Sequence, residues 1–189
     1  MRRYKRLLAV LAFLALLLLI VQLSGLRDNF SLNFLQHQIL AHQTTGLLAF
    51  VVLFSIGNLI QIPGWIFLAA AVLTLGKTSG GLATYVAAST SCVVTFLVIK
   101  TIGGDFLRQL DNKLAIRIFQ RLDAHPIRSI AVLRTLFQTA PALNYALALS
   151  GIKFRQYLIG TLIGLPIPIS LYCLFFDYIA KLLIPAVAT

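Results

Sequence analysis

The sequence predicts an all-α integral membrane protein, an inverted repeat in which a re-entrant helical hairpin plus a transmembrane helix occurs twice, with an extra N-terminal transmembrane helix and a central amphipathic helix. Three observations predict it. The 189 residues are 59% hydrophobic and 11% charged, where a soluble domain carries about 25% charged residues, and the mean hydropathy is +0.92. Two of the long apolar runs are broken near their middles by proline, which removes a backbone donor and frees carbonyls that hydrocarbon cannot satisfy. Sixteen Lys and Arg stand against five Asp and no Glu, and their placement along the chain selects a topology.

The elements follow in order. The start "MRRYKR" and the apolar run from Leu7 to about Leu23 read as a retained first span rather than a signal peptide, because the run exceeds a signal core and no A-x-A site closes it. With its outer linker it makes up residues 1–43, and residues 44–184 form the second domain. The run over 44–76 is too long for one crossing of roughly 20 residues and short for two. Pro63 and Gly64 break it, so it is expected to enter, turn at about Asn58 to Gly64 and leave by the same side. A transmembrane helix is expected over 80–102. Over 105–123, Phe106, Leu107, Leu110, Leu114, Ile118 and Leu122 recur at three- and four-residue steps. Arg108, Lys113, Arg117 and Arg121 hold the other face, the pattern of a helix lying on a lipid surface. A second hairpin over 126–151, with Pro141 at its turn, and a last transmembrane helix over 156–180 complete the chain.

The halves align weakly. "QIPGWIFLAAAVLTLGKTSGG" and "TAPALNYALALSGIKFRQ" share a proline, a short apolar helix, a glycine (Gly76, Gly151) and a polar turn. A unit of one hairpin and one crossing changes sides once, so its repeat sits inverted. With a cytoplasmic N-terminus, twelve basic residues fall on the cytoplasmic side, against Arg27, Lys77 and Lys181 outside. That bias obeys the positive-inside rule; a compact chain with no targeting extension fits a bacterial plasma (inner) membrane, with an organelle membrane as the alternative. The basic excess matches anionic lipid headgroups. Nucleic acid is not expected, since no basic stretch is interleaved with aromatics.

Chemistry-bearing residues are few. Arg134 lies within the second apolar hairpin, where a charge costs about 2.5 kcal/mol or more unless it is paired, snorkels or serves a function. It either snorkels to the cytoplasmic interface or binds a phosphate or carboxylate. Gln138, Asn144 and Tyr145 fall near the second tip, Asn58, Gln61 and Trp65 near the first. Facing tips would bring the amides to the midplane, to meet a substrate or to satisfy broken backbone. Asp177 and Lys181, at i and i+4, suggest a surface pair. Cys92 and Cys173 lack metal-ligand or redox spacing and read as core residues. His37, His42 and His125 do not share a metal-ligand spacing. No catalytic residue, metal site or cofactor is expected.

Arg134, Asn144, Tyr145, Gly151, Phe154, Tyr157, Gly160, Gly164 and Pro166, the last within "YLIGTLIGLP", stand in an order that resembles the signature of the DedA/VTT-domain (SNARE-associated Golgi protein) superfamily. "IPGWIFLAAAVLTLGKTSGG" is similar to that family's first hairpin. The resemblance covers about 45 to 176. It implies two facing re-entrant loops, a hairpin arginine of functional weight, here Arg134, and movement of lipids between leaflets. The chain departs from the family pattern at Phe137 and Ala140, where prolines are common, and carries no acidic residue at 58–65. Passive scrambling, or a branch of the family with another substrate, is therefore expected over proton-coupled transport. The expected partners are membrane lipids, an anionic phospholipid or lipid phosphate. The alternatives are a small-ion or oxyanion transporter, and a non-transporting membrane organiser acting through its basic helix.

Overall fold

The computed structural model describes residues 43–109 and 113–183, with isolated positions before them. The predicted N-terminal span and its linker, and residues 110–112, lie outside the described residues apart from those positions. All the regular structure described is helical: α1 Gln43–Leu59, α2 Gly64–Gly103, a 3-10 turn Phe106–Gln109, α3 Lys113–Ala124, α4 Pro126–Phe137, α5 Pro141–Leu149, α6 Phe154–Gly164 and α7 Pro166–Leu183.

α1 ends in a compact turn. The Ile62 amide donates to the Gly57 carbonyl at 2.7 Å and the Gln61 amide to that of Asn58 at 3.3 Å, the paired bonds of a Schellman cap. The left-handed position of that cap, where glycine is usual, is filled by Gln61 at φ 66°. Pro63 then caps α2 in extended conformation, and the first arm of α2 returns along α1. Phe54 and Phe67 pack with ring centroids 4.7 Å apart across the two limbs. Ala69, Ala70 and Ala71 are buried, small enough for close passage.

α2 is not one straight rod. Gly76 has φ 76° and ψ 170°, a conformation a side chain resists, and there the chain doubles back. A Cβ on Gly80 would lie 2.5 Å from the Ala71 carbonyl oxygen, so the second arm starts directly against the first. The Lys77 ammonium lies 3.6 Å from an Asp177 carboxylate oxygen of α7. Asp177 thus has a tertiary partner in Lys77; its predicted pairing with Lys181 lies outside the described residues, because the Lys181 side chain does.

The second half repeats this succession. α4 ends at Gln138, φ 49°; Pro141 begins α5 as its first residue; Gly151, φ 78°, turns the chain into α6. Each half therefore runs helix, glutamine at positive φ, proline, short helix, glycine at positive φ, long helix. The limbs differ in closure: α1 lies along α2, whereas α4 lies along α6 and α5 along α2, so α4 and α5 diverge from their turn.

Two elements differ in detail from the predicted spans. Of the amphipathic helix predicted over 105–123, Phe106–Gln109 is a 3-10 turn and Lys113–Ala124 is α-helical; Gly103 and Gly104 end α2 just before the turn. The last helix bends at Leu165 into Pro166, whose missing N–H interrupts the ladder. Two apolar clusters result, one around Phe50, Phe54, Phe67 and Ile169, the other around Phe96, Ile130, Leu149 and Tyr157. The second arm of α2 threads both.

Candidate functional site

Between the clusters lies a chain of buried polar groups joining the halves. Arg134, in the last turn of α4, is 0% exposed, so it does not snorkel to an interface. α6 can approach it because of Gly160 and Gly164, in a small-xxx-small spacing; a Cβ on Gly164 would lie 2.6 Å from that of Arg134. Its guanidinium donates from Nε to the Thr161 hydroxyl at 3.3 Å, from Nη1 to the Gln138 carbonyl at 3.1 Å and from Nη2 to the Tyr157 hydroxyl at 2.7 Å. The charge also lies 5.3 Å from the Tyr157 ring centroid. Every one of these partners is neutral, and Arg134 makes no ion pair among the described residues.

Tyr157 donates onward to the Cys92 carbonyl at 2.9 Å, fixing α6 to α2. Asn144 Nδ2 donates to Asn58 Oδ1 at 3.2 Å, and Asn58 Nδ2 to the Ser91 hydroxyl at 2.8 Å. Tyr145 donates to the Leu59 carbonyl at 2.6 Å. Asn58 and Asn144, 86 residues apart, thus meet side chain to side chain. A Cβ on Gly64 would collide with the Thr139 hydroxyl, so the N-terminus of α2 abuts the turn that starts α5. Two positive helix ends converge where the turns touch.

Of the predicted site residues, Arg134, Asn144 and Asn58 are gathered into this buried seam, with Tyr145 beside it. Gln138 enters through its backbone carbonyl, and Gln61 is exposed. Asn144 bonds the other tip's amide; the opened backbone at Gln138 is served by Arg134. Pro63, Gly64 and Pro141 start the returning limbs. Arg108 is no freely solvated lipid-surface charge: it forms a two-pronged bridge to Asp123 and donates from Nε to the Ser150 carbonyl at 2.6 Å. That bridge holds the Asp123 carboxyl below its ordinary value, through hydrogen bonding first. Arg121 is exposed, while the side chains of Lys113 and Arg117 lie outside the described residues.

Sequence reasoning missed Tyr157, Thr161 and Ser91 as members of the seam. Thr84, Ser91 and Thr95 share one face of α2, by steps of seven and four. Thr84 and Thr95 are fully buried, and their hydroxyls have no hydrogen-bond partner among the described residues. This spacing in an apolar run was the available signal.

A family model for the VTT domain matches residues 62–178, from the first turn into α7. The chain belongs to the VTT-domain family. This is the domain of the DedA/SNARE-associated Golgi proteins, as the residue order from Arg134 to Pro166 suggested. No curated protein and no solved structure matches the chain. The VTT domain is membrane-associated, and here the arm of α2 that follows Gly76 within the apolar Gly64–Gly103, and Phe154–Ile179, are long and apolar enough to cross a bilayer. Leu82, Val86, Leu171, Leu174 and Phe175 are exposed on them, a belt suited to lipid rather than water. The protein is an integral membrane protein.

Proposed function

We propose that this VTT-domain protein passes phospholipid headgroups between leaflets along the seam where the two turns meet, with Arg134 as the phosphate-binding group. The observation that carries this reading is an arginine fully buried in an apolar bundle with only neutral partners. Such a charge is costly to keep unless an anion uses it. The helix ends at Gly64 and Pro141 add positive potential at the same place, and the Thr84, Ser91 and Thr95 face offers hydroxyls along a crossing path. The arrangement described is the closed one. Passage requires the Asn58–Asn144 and Tyr145–Leu59 bonds to part, each a net contribution of only about 1 kcal/mol.

In this reading both hairpins are re-entrant and inverted in a bacterial inner membrane; the basic-residue bias supports a cytoplasmic N-terminus. The test is reconstitution in liposomes with a fluorescent-lipid scrambling assay. Wild type should scramble, and Arg134→Ala should fall to the empty-liposome rate. Equal rates for wild type and empty liposomes would remove the proposal. The complete enclosure of Arg134 also suits a small dehydrated oxyanion, and uptake that follows the anion but ignores lipid composition would select that reading.

A further inference from the structure

The diverging limbs of the second hairpin leave a groove of about 780 Å3 on the face of α4 opposite Arg134, within the roughly 300–1,000 Å3 of small-molecule sites. Val132 and Leu133 of α4 form one wall and Leu143 and Leu147 of α5 the other. Leu107 and Leu122, from the 3-10 turn and α3, close its end. At that end the lining changes character: Arg121, His125 and Arg128 stand together at the mouth. Arg121 and Arg128 are exposed, and neither makes an ion pair among the described residues.

The mouth is more positive than its side chains alone make it. α4 starts here with His125 as its cap residue, no side-chain cap bond and no acidic residue in the first turn. Arg128 is the third residue of that helix, at the positive end of its dipole, where a cation is disfavoured. A bound anion would relieve both. The groove between α2 and α7 offers no such mouth, because its basic residue, Lys77, is already paired with Asp177.

We infer that this groove is a binding site for one anionic phospholipid, its phosphate held by Arg121, Arg128 and the first amides of α4, and an acyl chain lying between α4 and α5. Charge selects this occupant. A second copy of the chain brings a net charge of +11 and is repelled by the mouth. The inference deepens the transport reading and rests on it for its bilayer setting: the groove would collect the lipid from the leaflet that α3 faces.

A single-tryptophan reporter tests it. Trp65 is the one tryptophan of the chain and is exposed on α2, outside the groove lining. The full chain carrying Trp65→Phe and Leu143→Trp is placed in phosphatidylcholine vesicles containing a few mole per cent of brominated phosphatidylglycerol or brominated phosphatidylcholine. The groove tryptophan should be quenched at about thirtyfold lower fractions of the anionic lipid, the preference expected of two basic residues at a surface. Arg121→Gln with Arg128→Gln should abolish the difference, and Trp65 in the wild-type chain should show little preference. Equal quenching by the two lipids, or a preference that survives loss of both arginines, overturns the site. Ala146→Trp, at an exposed position of the same wall, provides a second reporter if Leu143→Trp does not assemble. Binding needs no transbilayer movement. A preference in a chain that does not scramble keeps the groove and removes the transport reading; scrambling without the preference does the reverse.

Discussion

Arg134 separates stability from function. Its partners are a hydroxyl, a phenol and a carbonyl, so Arg134→Met should change thermal stability in detergent by no more than about 1–2 kcal/mol, as buried charges replaced by apolar groups often do. It should still abolish lipid scrambling. The Asn58–Asn144 pair behaves differently. Asn58→Leu strands the Asn144 amide and should cost about 1–3 kcal/mol, while adding Asn144→Leu should recover part of that loss. A double-mutant cycle on the midpoint of thermal unfolding measures this non-additivity. Gln61, in the left-handed region, should gain about 1 kcal/mol on replacement by glycine, read in the same melts. Arginine in an apolar run was conspicuous in the sequence, and so were the amides near the prolines. The partnership of Arg134 with Tyr157 and Thr161 was not, because tyrosine and threonine are ordinary in membrane helices until a charge is placed beside them.

At the scale of elements, two contacts set how the helices can move. α6 lies against α4 through Gly160 and Gly164, where the Ala131 carbonyl oxygen lies 2.5 Å from where a Gly164 Cβ would be. Gly164→Val should cost about 1–3 kcal/mol by overpacking and should lower scrambling as well, because it pushes α6 and Tyr157 away from Arg134. Arg108 joins the 3-10 turn to the ends of α3 and α5. Its partner Asp123 has a depressed folded pKa, so the bridge stabilises the fold above the unfolded carboxylate value, near pH 4. That contribution is lost as pH falls through the folded value. Melts from neutral to acid pH should therefore show a fall in stability that Arg108→Gln removes. The turns were readable from Pro63, Pro141, Gly76 and Gly151. The 3-10 start of the predicted amphipathic helix was not, because apolar periodicity does not register where Gly103 and Gly104 end the preceding helix.

For the whole molecule, impermeant-maleimide labelling in sealed vesicles tests the topology, with Cys92 and Cys173 replaced by alanine. A cysteine at position 77 should react from the side opposite to one at 121 or 153; reaction of all three from one side would dismantle the inverted arrangement. Composition and charge order determined much on their own. An apolar chain cannot leave backbone groups unpaired in lipid, so long unbroken apolar runs select helices, and prolines within them mark turns or bends. The positions of Lys and Arg then suggest which ends share a side. Tertiary structure alone decided that the turns touch, that Asn58 finds Asn144 and Lys77 finds Asp177, and that α4 and α5 part to leave a basic-mouthed groove. The physical reason is range. Helix, turn and insertion are dictated by neighbours along the chain, whereas the seam and the groove depend on which limbs pack on which, and that is settled by the shapes of surfaces far apart in sequence.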